Sequence, residues 1–98
     1  MRKHLFVQML AALLLFGVGC SSRMAGDAQL RLGNYDAAVQ NLQKAVSEDP
    51  EDGEALRQLG IAHYRNGDPA LAVDALTRAL AILPDDPDAR YYLGLAAL

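Results

Sequence analysis

The chain has 98 residues, 52% of them hydrophobic and 21% charged, with nine basic and twelve acidic side chains and a formal net charge of −3. That length allows one domain, and the composition excludes a disordered or collagen-like chain. One cysteine permits no internal disulfide, and two histidines without a second cysteine leave no recognisable zinc ligand set, so no metal or other cofactor is expected. The acidic balance argues against a nucleic-acid partner.

Arg2, Lys3 and His4 precede an apolar run from Leu5 to Val18, the form of a secretory signal. Fourteen residues is short for a bilayer, which takes about 20 per span. Without residues 1–19, seven basic side chains face twelve acidic ones. Gly17-Val18-Gly19-Cys20, followed by Ser21-Ser22, resembles the lipobox of bacterial lipoproteins, with Gly17 departing from the branched aliphatic residue that the family prefers. The resemblance implies that Cys20 is acylated (a palmitate-type lipid anchor) and becomes residue one of the mature chain. It also implies, through Ser21, sorting to the outer membrane with the domain facing the periplasm. Ordinary cleavage after Gly19 and an uncleaved anchor stay open as alternatives.

The rest of the chain repeats itself. Gly26, Gly60 and Gly94 are 34 residues apart, as are Gly33 and Gly67. Pairing residues 26–52 with 60–86 gives ten identities in 27 ungapped pairs, among them Ala38/Ala72, Leu42/Leu76, Ala45/Ala79, Pro50/Pro84 and Asp52/Asp86. Such a period marks a stacked repeat architecture.

In chain order the pattern predicts helices over about 21–32, 35–48, 54–66, 69–83 and 87–98. Gly33 and Gly67 suit the left-handed residue that ends a helix. Asn34 and Asp68 follow as expected side-chain caps of the next helix. Pro69 and Pro87 sit at first helical positions, where a missing amide costs nothing. On the fourth helix Ala72, Leu76, Ala79, Leu80 and Leu83 form one apolar stripe.

Leu59-Gly60, Tyr64, Gly67, Ala72, Leu76, Ala79 and Pro84 on a 34-residue helix-turn-helix period resemble the tetratricopeptide repeat. The resemblance implies an all-α short solenoid behind a lipoprotein-type signal peptide. The expected division is a signal over 1–19 and a repeat domain over 20–98, with repeat 1 about 20–52, repeat 2 53–86 and a partial repeat 3 over 87–98. Gly26, Gly33, Ala38, Ala45, Pro50, Leu59, Gly60, Gly67, Ala72, Ala79, Pro84 and Gly94 take the structural positions.

In that family the first helix of each pair lines a groove for a peptide or protein segment. Mapped here, the groove carries Arg23, Asp27 and Arg31, then Arg57, Ile61, Tyr64 and Arg65, then Tyr91, Tyr92 and Leu95. Arg23 aligns with Arg57 and Arg31 with Arg65, which suggests a basic ladder able to grip carboxylates. The same arginines also read as solvated helix-face residues. Asp27 and Ile61 replace asparagines of the family's chaperone-binding members, so that specificity is not expected.

The acidic cluster Glu48, Asp49, Glu51, Asp52 and Glu54 fails as a calcium loop, because Pro50 and Leu59 fall where ligands are required; it reads as an inter-repeat turn and cap. His63 reads as a packed core residue. No nucleophile with a base, phosphate-cradling loop or acid–base pair emerges, so the chain is not expected to be an enzyme. The last predicted helix, with Leu95 and Leu98, has no partner after it. Either the chain is the front of a longer repeat protein, or this helix docks on another copy or a partner. The expected function is a membrane-anchored scaffold or adaptor of the bacterial envelope; the alternative is the anchoring end of a larger envelope enzyme or assembly protein.

Overall fold

The computed structural model describes residues 21–98; the signal expected over 1–19 and Cys20 lie outside the described residues. The described residues form five helices and no strand: α1 over residues 21–31, α2 (Tyr35–Glu48), α3 (Gly53–Arg65), α4 (Pro69–Ile82) and α5 (Pro87–Ala96). No helix among them is long and apolar enough to cross a membrane.

Two kinds of turn alternate, each with its own chemistry. Within a pair the chain turns on glycine: Gly33 (φ 80°) and Gly67 (φ 86°) lie in the left-handed region. The Asn34 amide donates to the Gln29 carbonyl at 2.8 Å and the Gly33 amide to Leu30 at 3.2 Å; Asp68 to His63 (2.9 Å) and Gly67 to Tyr64 (3.2 Å) repeat the arrangement. These are paired Schellman closures, which satisfy the last carbonyls of α1 and α3. Between pairs the chain turns on proline instead. Pro50 and Pro84 follow the ends of α2 and α4, and the Asp52 and Asp86 amides each close a turn at 3.2 Å, onto Asp49 and Leu83.

The caps differ between the two turns. Asp52 accepts from the Ala55 amide at 3.1 Å and Asp86 from the Ala89 amide at 3.0 Å. Asn34 and Asp68 make no side-chain cap bond, contrary to the sequence expectation. Their backbones sit at ψ 75° and 72°, short of the 93° and 114° at Asp52 and Asp86, with their own amides drawn back into the Schellman closure.

Glycine and alanine set the helix spacing. A Cβ on Gly26 would lie 2.5 Å from Leu42 Cγ, and one on Gly60 would overlap Leu76. Around those leucines Ala38, Ala45, Ala72 and Ala79 are at most 2% exposed, and Leu42, Leu56 and Leu76 are fully buried. Burying a leucine contributes about 1.5–3 kcal/mol, so each close approach seats one of the strongest apolar contacts in the core. Leu59 joins the same core. The helix α3 is the hub: it packs on α2, α4 and α5, and reaches α1 through Glu54 and Gln58. The first helices of the pairs, α1, α3 and α5, therefore lie side by side, with α2 and α4 behind them.

Candidate protein-binding face

The face made by α1, α3 and α5 carries the predicted groove residues, and the structure sorts them into three groups. Arg23 and Arg57 are tied inside the stack. Arg57 Nη1 donates to Asp86 Oδ2 at 2.7 Å, with side-chain exposures of 23% and 9%. Thirty-four residues earlier Arg23 Nη1 lies 2.9 Å from Glu54 and 3.5 Å from Asp52. In both copies an arginine of one first helix reaches the carboxylate that caps the next. Burial works against the charge on Asp86, yet the Ala89 amide, the Arg57 guanidinium and the Asp88 amide outweigh it and hold the carboxyl below its ordinary value. The basic ladder thus has two rungs occupied by this chain's own acids, because the next pair begins beside them.

Arg31 and Arg65 stand elsewhere. Arg31 is exposed and pairs with Asp27, one turn back on its own helix, at 3.0 Å. In α3 the residue equivalent to Asp27 is Ile61, which offers no acid. Arg65 turns to α5 instead, donating to the Tyr92 hydroxyl at 2.8 Å with its guanidinium carbon 5.7 Å from that ring's centroid. Ile61, expected to line the groove, is 8% exposed and part of the core, so it supports the face without presenting to it.

The tyrosines make the third group. Tyr64 and Tyr92 meet edge to face with centroids 5.9 Å apart, and Tyr91 and Tyr92 do so at 5.2 Å. Tyr64 and Tyr92 are half-buried against the core, while Tyr91 is 62% exposed. Leu95 is half-buried one turn beyond Tyr91. Rigid rings braced by each other and by Arg65 offer amphipathic contact area at low entropic cost.

Further links between helices escaped the sequence reading: Gln58 donates to Asp27 at 3.2 Å and Asn66 to Asp36 at 3.0 Å. Their only signal is a separation close to one period. Among the described residues no group of three or more histidine, cysteine, aspartate or glutamate side chains could hold a metal ion. Shallow hollows open at the inter-repeat turns, one bounded by Pro50, Leu56 and Ile82 and the other by residues 82–86.

Helix pairs of one period, stacked through glycine and alanine and presenting braced rings on one face, define a repeat scaffold that works by binding. The chain belongs to the tetratricopeptide repeat family, whose model matches residues 23–87 and, in a second register, 59–98. No curated protein matches it. Repeats of this family generally mediate protein–protein interaction and are typically non-catalytic.

Proposed function

We propose that the chain is a lipid-anchored interaction scaffold of the bacterial envelope, attached to the outer membrane through acylated Cys20 and presenting its repeats to a protein segment in the periplasm. The anchoring part rests on the lone cysteine at the edge of the apolar run, with small residues before it and Ser21 after it. Two or more acyl chains, at about 0.8 kcal/mol per buried methylene, hold a protein on a membrane stably.

The binding part is carried by one observation: Tyr64, Arg65, Tyr91 and Tyr92 form a connected, partly exposed patch across α3 and α5. With Arg23 and Arg57 engaged internally, recognition falls to this patch. It fits a segment that lays an apolar or aromatic residue on Tyr91 and an acidic residue beside Arg65.

Mass spectrometry of the mature amino terminus tests the anchor. A diacyl or triacyl Cys20 is expected, with Cys20→Ser shifting the protein from the membrane to the soluble fraction; a free thiol on a soluble chain overturns it. Site-specific photocrosslinking from position 91 tests the binding face. A discrete adduct that is lost on Arg65→Ala supports the reading, and an absence of adducts refutes it.

A further inference from the structure

Asn66-Gly67 is the chain's one asparagine–glycine pair. An asparagine followed by glycine can lose ammonia without an enzyme. The glycine nitrogen bonds to the side-chain Cγ, the Cγ–Nδ2 bond breaks, and the amide proton leaves with the ammonia. A cyclic succinimide remains, and a water molecule opens it to aspartate or isoaspartate. Glycine in second place favours the attack because no Cβ crowds its nitrogen.

In the fold the pair forms the turn between α3 and α4, with both residues exposed. A Cβ built on Gly67 would meet no atom within 4 Å, so no neighbouring element shields the turn. Two hydrogen bonds hold the reacting groups in place. Asn66 Nδ2 donates to Asp36 Oδ1 at 3.0 Å, and the Gly67 amide donates to the Tyr64 carbonyl at 3.2 Å. The first of these ties the end of α3 to the start of α2, and so the second helix pair to the first. One period earlier the residue before the turn glycine is Leu32, which has no amide to lose.

We propose that Asn66 is a deamidation site, gated by its hydrogen bond to Asp36, at which ageing of the protein loosens the second helix pair from the first. Ring closure requires Asn66 Cγ to approach the Gly67 nitrogen, which both hydrogen bonds oppose. Exposed turns open locally far more often than the whole chain unfolds, so the strength of these bonds sets the rate. The product exchanges the donor facing Asp36 for an acceptor and leaves two carboxylates where a hydrogen bond stood, and like charges at contact repel. Isoaspartate also inserts a methylene into the main chain before Gly67. It falls in the segment where the Gly67 and Asp68 amides close onto Tyr64 and His63. The side-chain link to α2 and the closure of α3 are thus lost at one residue, next to Arg65.

The full chain is incubated in neutral buffer, and products at residue 66 are followed by peptide mass spectrometry on fragments that separate it from Asp52-Gly53. Aspartate and isoaspartate are expected at residue 66, with Asn34 and Asn41 intact. Asp36→Ala should speed their appearance about tenfold, the lower end of what a hydrogen bond to a charged group contributes. Asp27→Ala, which removes the Gln58 link between the same two helix pairs, should not. Asn66→Asp, equivalent to one product, should lower the urea midpoint, and adding Asp36→Asn should restore it by forming the pair in reverse. Asn66 intact even in Asp36→Ala, equal acceleration by Asp27→Ala, or an Asn66→Asp chain as stable as the original overturns the proposal.

Discussion

Arg57 and Asp86, 29 residues apart, meet at 2.7 Å across α3 and α5, and Asp86 is at once the acceptor of that bond and the cap of α5. One carboxylate therefore fixes where α5 starts and how it sits on α3. Arg23 and Asp52 stand in the same relation one period earlier, at 3.5 Å, with Glu54 taking the shorter contact. Repetition of a clasp in a stack whose units contact only their neighbours couples each unit's stability to the next.

Removing either partner of the clasp should loosen α5 selectively. Asp86→Ala loses a helix cap, about 1 kcal/mol, and leaves a largely buried guanidinium without its acid, for a total of about 2–3 kcal/mol. Arg57→Ala keeps the cap and should cost about 1 kcal/mol. Urea denaturation with a double-mutant cycle reads the coupling; additive losses would mean that the two side chains act independently.

The pH dependence follows from two groups with opposite charges and the same sign of effect. Burial lowers the pKa of His63 below its ordinary 6.5, against the opposing pull of Asp68. The folded chain then keeps neutral imidazole while the unfolded chain takes up a proton, so stability falls as pH drops below 6.5 and levels off below the folded value. Asp86 has a folded pKa below its ordinary 3.8, so its contribution is complete above 3.8 and is lost as pH falls through the folded value. His63→Gln, which places there the residue found at position 29, should remove the upper phase of a urea-midpoint titration and leave the lower one. An unchanged upper phase would exclude His63 as its source.

How much was legible before the structure depends on whether one residue type has one use. Gly33 and Gly67, Pro50 and Pro84, and Asp52 and Asp86 each recur at the period, and the helices begin and end within two residues of the places they mark. Arg57 was legible as a charge on the inner face but not as a partner of Asp86, because an arginine that grips a ligand carboxylate and one that grips its own chain look alike in sequence. Ile61 was expected in the groove from its place on the first helix of a pair, yet it is part of the core; which residues at the margin of a helix face are covered depends on neighbours that spacing does not reveal. Asn34 and Asp68 failed as caps for a local reason, since the glycine before them turns the backbone away from the capping conformation.

Three glycines of similar appearance should respond differently to alanine. Gly60→Ala drives a methyl into Leu76 and close to the Leu76 backbone amide, 3.3 Å from the new carbon, so the helices must separate at a cost of about 1–3 kcal/mol. Gly67→Ala meets no atom but is held at φ 86°, which costs about 1–2 kcal/mol. Gly94→Ala meets nothing and gains helix propensity, about 0.5–1 kcal/mol of stabilisation. Thermal melts of the three variants should rank them in that order, and a destabilised Gly94→Ala would contradict the open space at α5.

The tyrosine face separates binding from stability more cleanly than the arginines do. Tyr91 is 62% exposed, so Tyr91→Ala should change stability by no more than about 1 kcal/mol, chiefly through loss of its edge contact with Tyr92. Tyr92→Phe keeps both ring contacts but removes the oxygen that accepts from Arg65, freeing the guanidinium. If the partner segment packs on Tyr91 and places an acid at Arg65, Tyr91→Ala should reduce photocrosslinking from a neighbouring position by about tenfold. Tyr92→Phe should change it by no more than a few fold, because the arginine remains available to the ligand. Arg57→Ala is unsuitable for this purpose, since it disturbs the α3–α5 clasp and confounds a lost contact with a shifted helix. A face on which Tyr91→Ala and Arg65→Ala both leave crosslinking intact is not the docking site, whatever the stability of the variants.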